Sequence, residues 1–304
     1  MRLPTLAAAL ILWGGLARAA VEPGAAFLRV GSGARPAALG NAFTAVADDV
    51  DALYYNPGGL SRLEHPELGA THAEWLLDTR FDFLGYAHPS RFGTIGLGLA
   101  RLTAGSQEGR GADRGRTGGF TAADTAFTLS YGRNDLLGAG TGVGLSAKFI
   151  ESRIGSDSAS TLAFDIGVLK PLLGSRLSMG AAVLNLGRGL RFIDQVDPLP
   201  LTLAVGTAYH FGGLLRVAFD VRHETPTRRT EFGIGSEYSI VRGLSLRAGY
   251  ASPAAARSGI GGESRLNGIG GGFGLRFGRY RADYTFTPFG ALGSLHRTSL
   301  GTRF

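Results

Sequence analysis

Side chains able to do chemistry are present but not gathered. The six histidines, His65, His72, His88, His210, His223 and His296, fall in separate segments without metal-ligand spacing, and each reads as a rim or lumen residue. There is no cysteine, which removes thiolate nucleophiles, thiolate metal sites and disulfides. No G-x-S-x-G elbow, G-x-G-x-x-G turn or H-E-x-x-H helix occurs, and neither Lys148 nor Lys170 stands in a phosphate-loop context. An enzyme is not expected, and neither is a cofactor or a metal. The 31 basic residues, all but Lys148 and Lys170 arginine, outnumber 24 acidic ones. They are spread over alternating positions and loops, without the basic cluster and interleaved aromatics that would point to nucleic acid.

The charges share one register instead. Arg216, Arg222, Arg247, Arg276, Arg281, Arg297 and Arg303 fall on the same alternating face as Asp165, Asp220, Glu231 and Asp283. Such a face reads as the lining of a lumen held by ion pairs, or as one whose surplus positive charge attracts a carboxylate headgroup.

The elements that must position these charges are strands. From Glu67 onward, stretches of alternating apolar and small or polar residues are separated by turns rich in Gly, Asn, Asp, Pro and Arg. In 161–168, Leu162, Phe164, Ile166 and Val168 alternate with Thr161, Ala163, Asp165 and Gly167. Fourteen such segments begin near Glu67, Phe81, Gly93, Ala122, Thr141, Thr161, Arg176, Leu201, Leu214, Thr230, Leu244, Ile269, Tyr280 and Leu295. Short connections, such as 90–91, 211–213 and 278–279, alternate with long polar ones at 104–121, 186–200 and 251–268. An up-and-down barrel in an outer membrane has this arrangement, with tight periplasmic turns, long outer loops and both termini inside. The predicted class is therefore all-β: an antiparallel transmembrane barrel of about fourteen strands, with lipid as its outer partner.

The 49 glycines of the 304-residue chain fit this reading. Strands 93–101 and 141–149 would turn Gly96, Gly98, Gly142 and Gly144 into a crowded lumen, with Ile95, Leu97, Leu99, Val143 and Leu145 toward lipid. Tyr131, Tyr209, Tyr250, Tyr280 and Tyr284 are expected near strand ends as interfacial girdles. The last strand places His296, Thr298, Leu300, Thr302 and Phe304 outward, and the terminal aromatic Phe304 looks like the signal that such barrels present to their assembly machinery.

Residues 1–19 read as a secretory signal peptide: Arg2, an apolar run interrupted by Pro4, Gly14 and Gly15, and Ala17-Arg18-Ala19 as the cleavage site. Its removal would leave 29 basic residues against 24 acidic, in the outer membrane of a Gram-negative bacterium. Residues 20–66 precede the barrel, 67–304. Phe43, Val46, Val50 and Leu53 recur at helical intervals, so this segment should form short helices ending at the turn Asn56-Pro57-Gly58-Gly59-Leu60. It would lie as a plug in the lumen or as an arm beneath it.

Residues 24–49, GAAFLRVGSGARPAALGNAFTAVADD, followed by Tyr54-Tyr55-Asn56-Pro57-Gly58-Gly59-Leu60, resemble the N-terminus of the PorV/PorQ family of outer-membrane proteins, relatives of FadL-type transporters. Tyr55 stands where that family's turn has Trp, and Gly58 where it has Ala. The resemblance implies a fourteen-stranded barrel and a hatch turn at Asn56, Pro57, Gly58 and Gly59, which would otherwise be an ordinary Asx-Pro turn. It also implies one of two roles. In the first, small hydrophobic molecules pass through a hatch-gated lumen and leave sideways through the wall. In the second, a type IX-like secretion or surface-attachment system is served through the outer loops.

Overall fold

In the computed structural model, the described residues are 23–74, 79–110, 116–138, 140–252, 268–288 and 294–304. The signal segment 1–19 and most of the connection 251–268 lie outside them. Alternation produces strands β1 (Glu67–Glu74), β2 (Arg80–Ser90), β3 (Gly93–Arg110), β4 (Arg116–Asn134), β5 (Gly142–Ile154), β6 (Asp157–Leu172), β7 (Leu177–Gly187), β8 (Leu190–Phe192) and β9 (Gln195–Asp197). They are followed by β10 (Thr202–Phe211), β11 (Leu215–Glu224), β12 (Arg229–Val241), β13 (Leu244–Ala251), β14 (Ile269–Phe277), β15 (Tyr280–Pro288) and β16 (Ser294–Arg303). All except β8 and β9 form one closed antiparallel barrel of fourteen strands, sealed where β1 pairs with β16 from Glu67↔Arg303 to Glu74↔His296. Closure leaves no unpaired strand edge, the condition for a sheet to sit in hydrocarbon.

The outer face carries Leu84, Ile95, Leu97, Phe127, Leu129, Leu145, Leu162, Phe164, Val205, Phe219, Ile234, Leu246 and Leu300, all exposed. Such an apolar belt matches a bilayer rather than water. In β16, His296, Thr298 and Leu300 point outward while Leu295, Arg297 and Ser299 are buried. Among the described residues no helix is long and apolar enough to cross a membrane, which leaves strands as the only spanning element there.

Two connections differ from expectation. The described parts of the 104–121 connection, 104–110 and 116–121, are not a plain outer loop, because β3 and β4 continue through them as a paired ribbon, with register shifts at Ala104/Gln107 and Gly109/Arg110. A two-stranded ribbon satisfies its own backbone hydrogen bonds beyond the rim, and bulges absorb the Gly, Gln and Arg residues that read as loop. Within 186–200, β8 and β9 form a small hairpin whose Leu190 is fully buried. Tyr284 also departs from the girdle expectation: it lies mid-strand on the outer face and hydrogen-bonds His296 at 2.7 Å. His296 is thus a wall residue rather than a rim or lumen one.

Residues 23–66 pack inside the barrel. The backbone at Gly24 touches Asp197 and Leu190 at the long-loop end, and the chain then descends to the short-turn end before entering β1. Helix α1 (Ala34–Ala38) follows Gly33, at φ 76°, and ends where Gly40 takes φ 63°. Helix α2 (Ala52–Tyr55) stops at Asn56, which takes an extended φ of −162° because it precedes Pro57. Leu39, Phe43, Val50, Leu53, Tyr55 and Leu60 of this segment are fully buried. At about 1.5–3 kcal/mol for each large apolar side chain, their burial is the main force holding it in place.

The inward glycines make room for it. A side-chain carbon at Gly58 would lie 2.8 Å from the Gly167 carbonyl oxygen, and one at Gly144 would run into the Pro57 backbone. At Gly98 the same carbon would meet Thr128 at an ordinary 3.4 Å. Gly144→Val should therefore displace the 56–60 turn and speed tryptic cleavage after Arg62, while the heat-modifiable gel mobility of a closed barrel persists. Gly98→Ala should leave both unchanged.

Candidate functional site: the hatch, its ion-pair ring and the adjoining wall

The 56–60 turn is built on Asn56. Its side chain donates from Nδ2 to the carbonyls of Thr44 (2.7 Å) and Val168 (3.1 Å), and its Oδ1 accepts from Gly58 N at 3.0 Å. One residue thus joins two parts of the inner segment to strand β6. Pro57, Gly58 and Gly59 lie with it against the wall, all buried.

Of the eleven charged residues expected in the lumen, nine contact the inner segment or one another, or line the short-turn mouth, and Asp165 pairs instead with Lys148. Asp220 accepts from Phe43 N (2.9 Å) and Thr44 N (2.8 Å), and Arg222 donates to Asn41 O at 2.8 Å while its guanidinium lies 4.8 Å over the Tyr55 ring. Glu231 is different. Near the long-loop end it pairs with its neighbour Arg229 at 3.1 Å and stays 43 % exposed. Arg276 shares the inward register but is exposed at the short-turn mouth.

The densest cluster is a ring of four arginines and four carboxylates. Arg35 binds Asp48 (2.6 Å), Asp49 (2.8 Å) and Glu237 (2.9 Å), and Arg216 binds Asp48 at 3.0 Å. Arg247 links Glu237 (3.3 Å) to Asp283 (2.6 Å), and Arg281 returns from Asp283 (3.0 Å) to Asp49 (2.6 Å). Three members, Arg35, Asp48 and Asp49, come from the inner segment, and the other five from the wall. Burial alone would raise the Asp48 carboxyl, but Arg35 and Arg216 outweigh it and hold that group well below the usual range. Asp49 is lowered against burial in the same way, by Arg281 and Arg35. Asp51 goes the other way. Burial and the neighbouring Asp49 charge push it up to about 7, against the pull of Arg281 and a hydrogen bond from Ser32 at 3.1 Å.

Sequence reading did not find a second cluster, on β5 to β7. Lys148 Nζ lies 2.7 Å from Asp165 Oδ2 and donates to Asn185 Oδ1 at 2.8 Å, and Asn185 N donates to Asp165 Oδ1 at 2.7 Å. Asn185 sits at φ 62°, where the β6–β7 register shifts between Phe164 and Ile166. A lone lysine on the inward face of an arginine-rich barrel, and an Asn able to take a left-handed backbone inside a strand, were the available signals.

Lys148 also borders two spaces. On the inner side it lines a cavity of about 50 Å³ with Leu28, Tyr54, Leu184 and Asn185. On the outer side it adjoins, with Gly98 and Thr128, an apolar groove of about 590 Å³ whose walls include Leu97, Phe127, Leu129 and Phe149. The histidines do not converge: among the described residues, no group of three or more His, Cys, Asp and Glu is placed to hold a metal ion.

Residues 20–161 match an uncharacterised protein family, UPF0164. A UPF0164 protein of Treponema pallidum (strain Nichols) is 26 % identical over 300 residues, which cover 90 % of this chain and 67 % of that protein. Among solved structures, the CymD monoaromatic hydrocarbon channel superposes with a TM-score of 0.62 at 14 % identity, over 90 % of this chain and 98 % of that one. The P. putida toluene transporter TodX gives 0.57 at 13 % identity, over 84 % and 94 % of the two chains. A Pseudomonas aeruginosa FadL homologue gives 0.56 at 12 % identity, over 88 % and 97 %. The fold is that of the FadL-like barrels.

The Asp51 carboxyl makes the inner segment sensitive to pH. Because its folded-state pKa is raised, the stability it contributes is complete below the ordinary carboxyl value near 4 and is lost as pH rises through about 7. Asp48 and Asp49, which are depressed, act in the opposite sense at acid pH. Hydrogen-exchange protection of amides 49–55, corrected for intrinsic rates, should fall between pH 5 and 8 in the native chain and stay level in Asp51→Asn.

Proposed function

We propose that this chain is an outer-membrane channel of the FadL-like type that passes small hydrophobic molecules, with residues 23–66 as its hatch. The observation that carries the reading is the position of Lys148, beside Gly98 and Thr128, between the hatch cavity and the apolar groove on the outer wall. A molecule that partitions into lipid has no need of a water-filled axial pore; a thin place in the wall beside a movable plug serves it. The Asn185 bulge lies next to the same cavity, and bulges are where strand pairing yields most readily. The channels named among the solved structures carry monoaromatic hydrocarbons or toluene, and the same class of substrate is proposed here. An enzymatic role has no constellation to support it among the described residues.

Outer-membrane lipid would cover the apolar belt, and the barrel assembly machinery would read the C-terminus. There Phe304 N is held by Pro66 O at 3.0 Å while the ring stays 61 % exposed. One further observation favours the PorV/PorQ-like secretion or surface-attachment reading: the β3–β4 ribbon is longer than a bilayer requires. At 18 and 19 residues these strands exceed the roughly 9–11 that span a membrane, and the excess forms an arm at the long-loop end.

Toluene uptake into proteoliposomes separates the two. Ala147→Trp fills the outer groove from the lipid side, where it disturbs no packed neighbour, and should lower uptake several-fold. Paired replacement of Asn56 and Pro57 by alanine should change it as well. Unaltered uptake in both variants, with loss of a bound surface protein on deletion of 105–118, would favour the secretion role.

A further inference from the structure

The short-turn end of the barrel holds a second cavity, of about 510 Å³, that the hatch-and-groove route does not use. Its lining includes the turn residues Gly213, Leu214, Arg242 and Gly243, so it opens at that rim. Its roof is the ion-pair ring. Within the ring the charges balance, four guanidinium groups against four carboxylates, and Arg303, which also lines the cavity, is paired with Glu67 at 2.6 Å. Arg276 and Arg242 remain. Among the described residues neither guanidinium has a hydrogen bond or ion pair, although Arg276 N donates to Gly243 O at 2.7 Å, and both residues line the cavity. Arg276 stands directly across from Arg281 in the β14–β15 register. Like charges in that position destabilise a sheet unless something offsets them.

We propose that this vestibule binds an organic anion, with Arg276 and Arg242 holding its carboxylate or phosphate headgroup. Asp48 already shows how the place treats a carboxylate: its oxygens lie 2.6 Å from Arg35 and 3.0 Å from Arg216. A free anion would take the same kind of partner one step nearer the rim. Guanidinium forks suit both headgroups, carboxylate and phosphate. The ligand has an apolar body as well, because Leu214, Ile240 and Val241 share the lining and the volume far exceeds that of an inorganic ion. The register shift between Ser239 and Val241, at the end of β12, brings that apolar side to the cavity. This site is independent of what crosses the wall at Lys148.

The test is calorimetric titration of the purified full-length protein in detergent with benzoate, phenyl phosphate, inorganic phosphate and benzamide. Saturable binding of benzoate or of phenyl phosphate is expected, and whichever binds tighter identifies the headgroup. Binding should weaken about tenfold in Arg276→Gln and again in Arg242→Gln. Neither residue contacts the hatch, so both variants should keep the native heat-modifiable mobility. Benzamide binding as tightly as benzoate, or inorganic phosphate binding as tightly as phenyl phosphate, would overturn the assignment. So would native affinity for both organic anions in the Arg276→Gln, Arg242→Gln double variant, or no saturable binding of either one.

Discussion

The Arg35 guanidinium is the point on which this structure turns. It is buried, and its three acidic partners come from two sources, Asp48 and Asp49 on its own segment and Glu237 on the wall. A charge taken out of water costs several kcal/mol unless it is paired and hydrogen-bonded. The hatch can therefore occupy the lumen only in the position that brings all three carboxylates to Arg35. Apolar burial of Phe43, Leu53 and Leu60 supplies attraction without direction; the ion-pair ring supplies the direction. A buried network of this sort contributes less to net stability than to uniqueness.

The glycines on the wall are the steric counterpart of that constraint. At Gly144, Gly180 and Gly235 the hatch backbone approaches the strand backbone so closely that no side chain fits between them. Elsewhere the lumen is filled by arginine side chains, as at Arg297, which donates to the carbonyls of Gly33 (3.2 Å) and Val30 (3.1 Å). The two devices divide the inner surface. Bare backbone receives the hatch turns, and arginine receives the hatch carbonyls and carboxylates.

Period-two alternation was enough to read the wall, its strand number and which residues face lipid, because each barrel strand has one apolar and one polar side. It failed where that contrast fades. Residues 104–110 and 116–121 are rich in Gly and Arg and show no apolar face, yet they pair because a ribbon needs only its own backbone. The inward arginines were legible as a register, but their partners were not, since Asp48 and Asp49 reach them from a segment more than 150 residues away along the chain. Asp165 was legible on the same lumen face, but its meeting with Lys148 and Asn185 was not, for a related reason. Their meeting depends on a bulge at Asn185, where Leu184 and Asn185 are both buried and the alternation changes phase within a single strand.

The hatch also bears on the order in which the molecule can be built. Its wall partners Arg281, Thr285, Arg297 and Ser299 lie on the last two strands, while the hatch itself is the earliest part of the described chain. Its contacts therefore span nearly the whole sequence, as with Ala34 N to Ser299 at 2.7 Å. Loop-closure entropy delays contacts of such separation until intervening structure has formed. These early residues are thus among the last to find their places, since their contacts with β15 and β16 wait until β16 closes on β1. A truncated chain lacking the final hairpin would lose more than two staves of the barrel, because its plug would also lose its partners Arg281, Arg297 and Ser299.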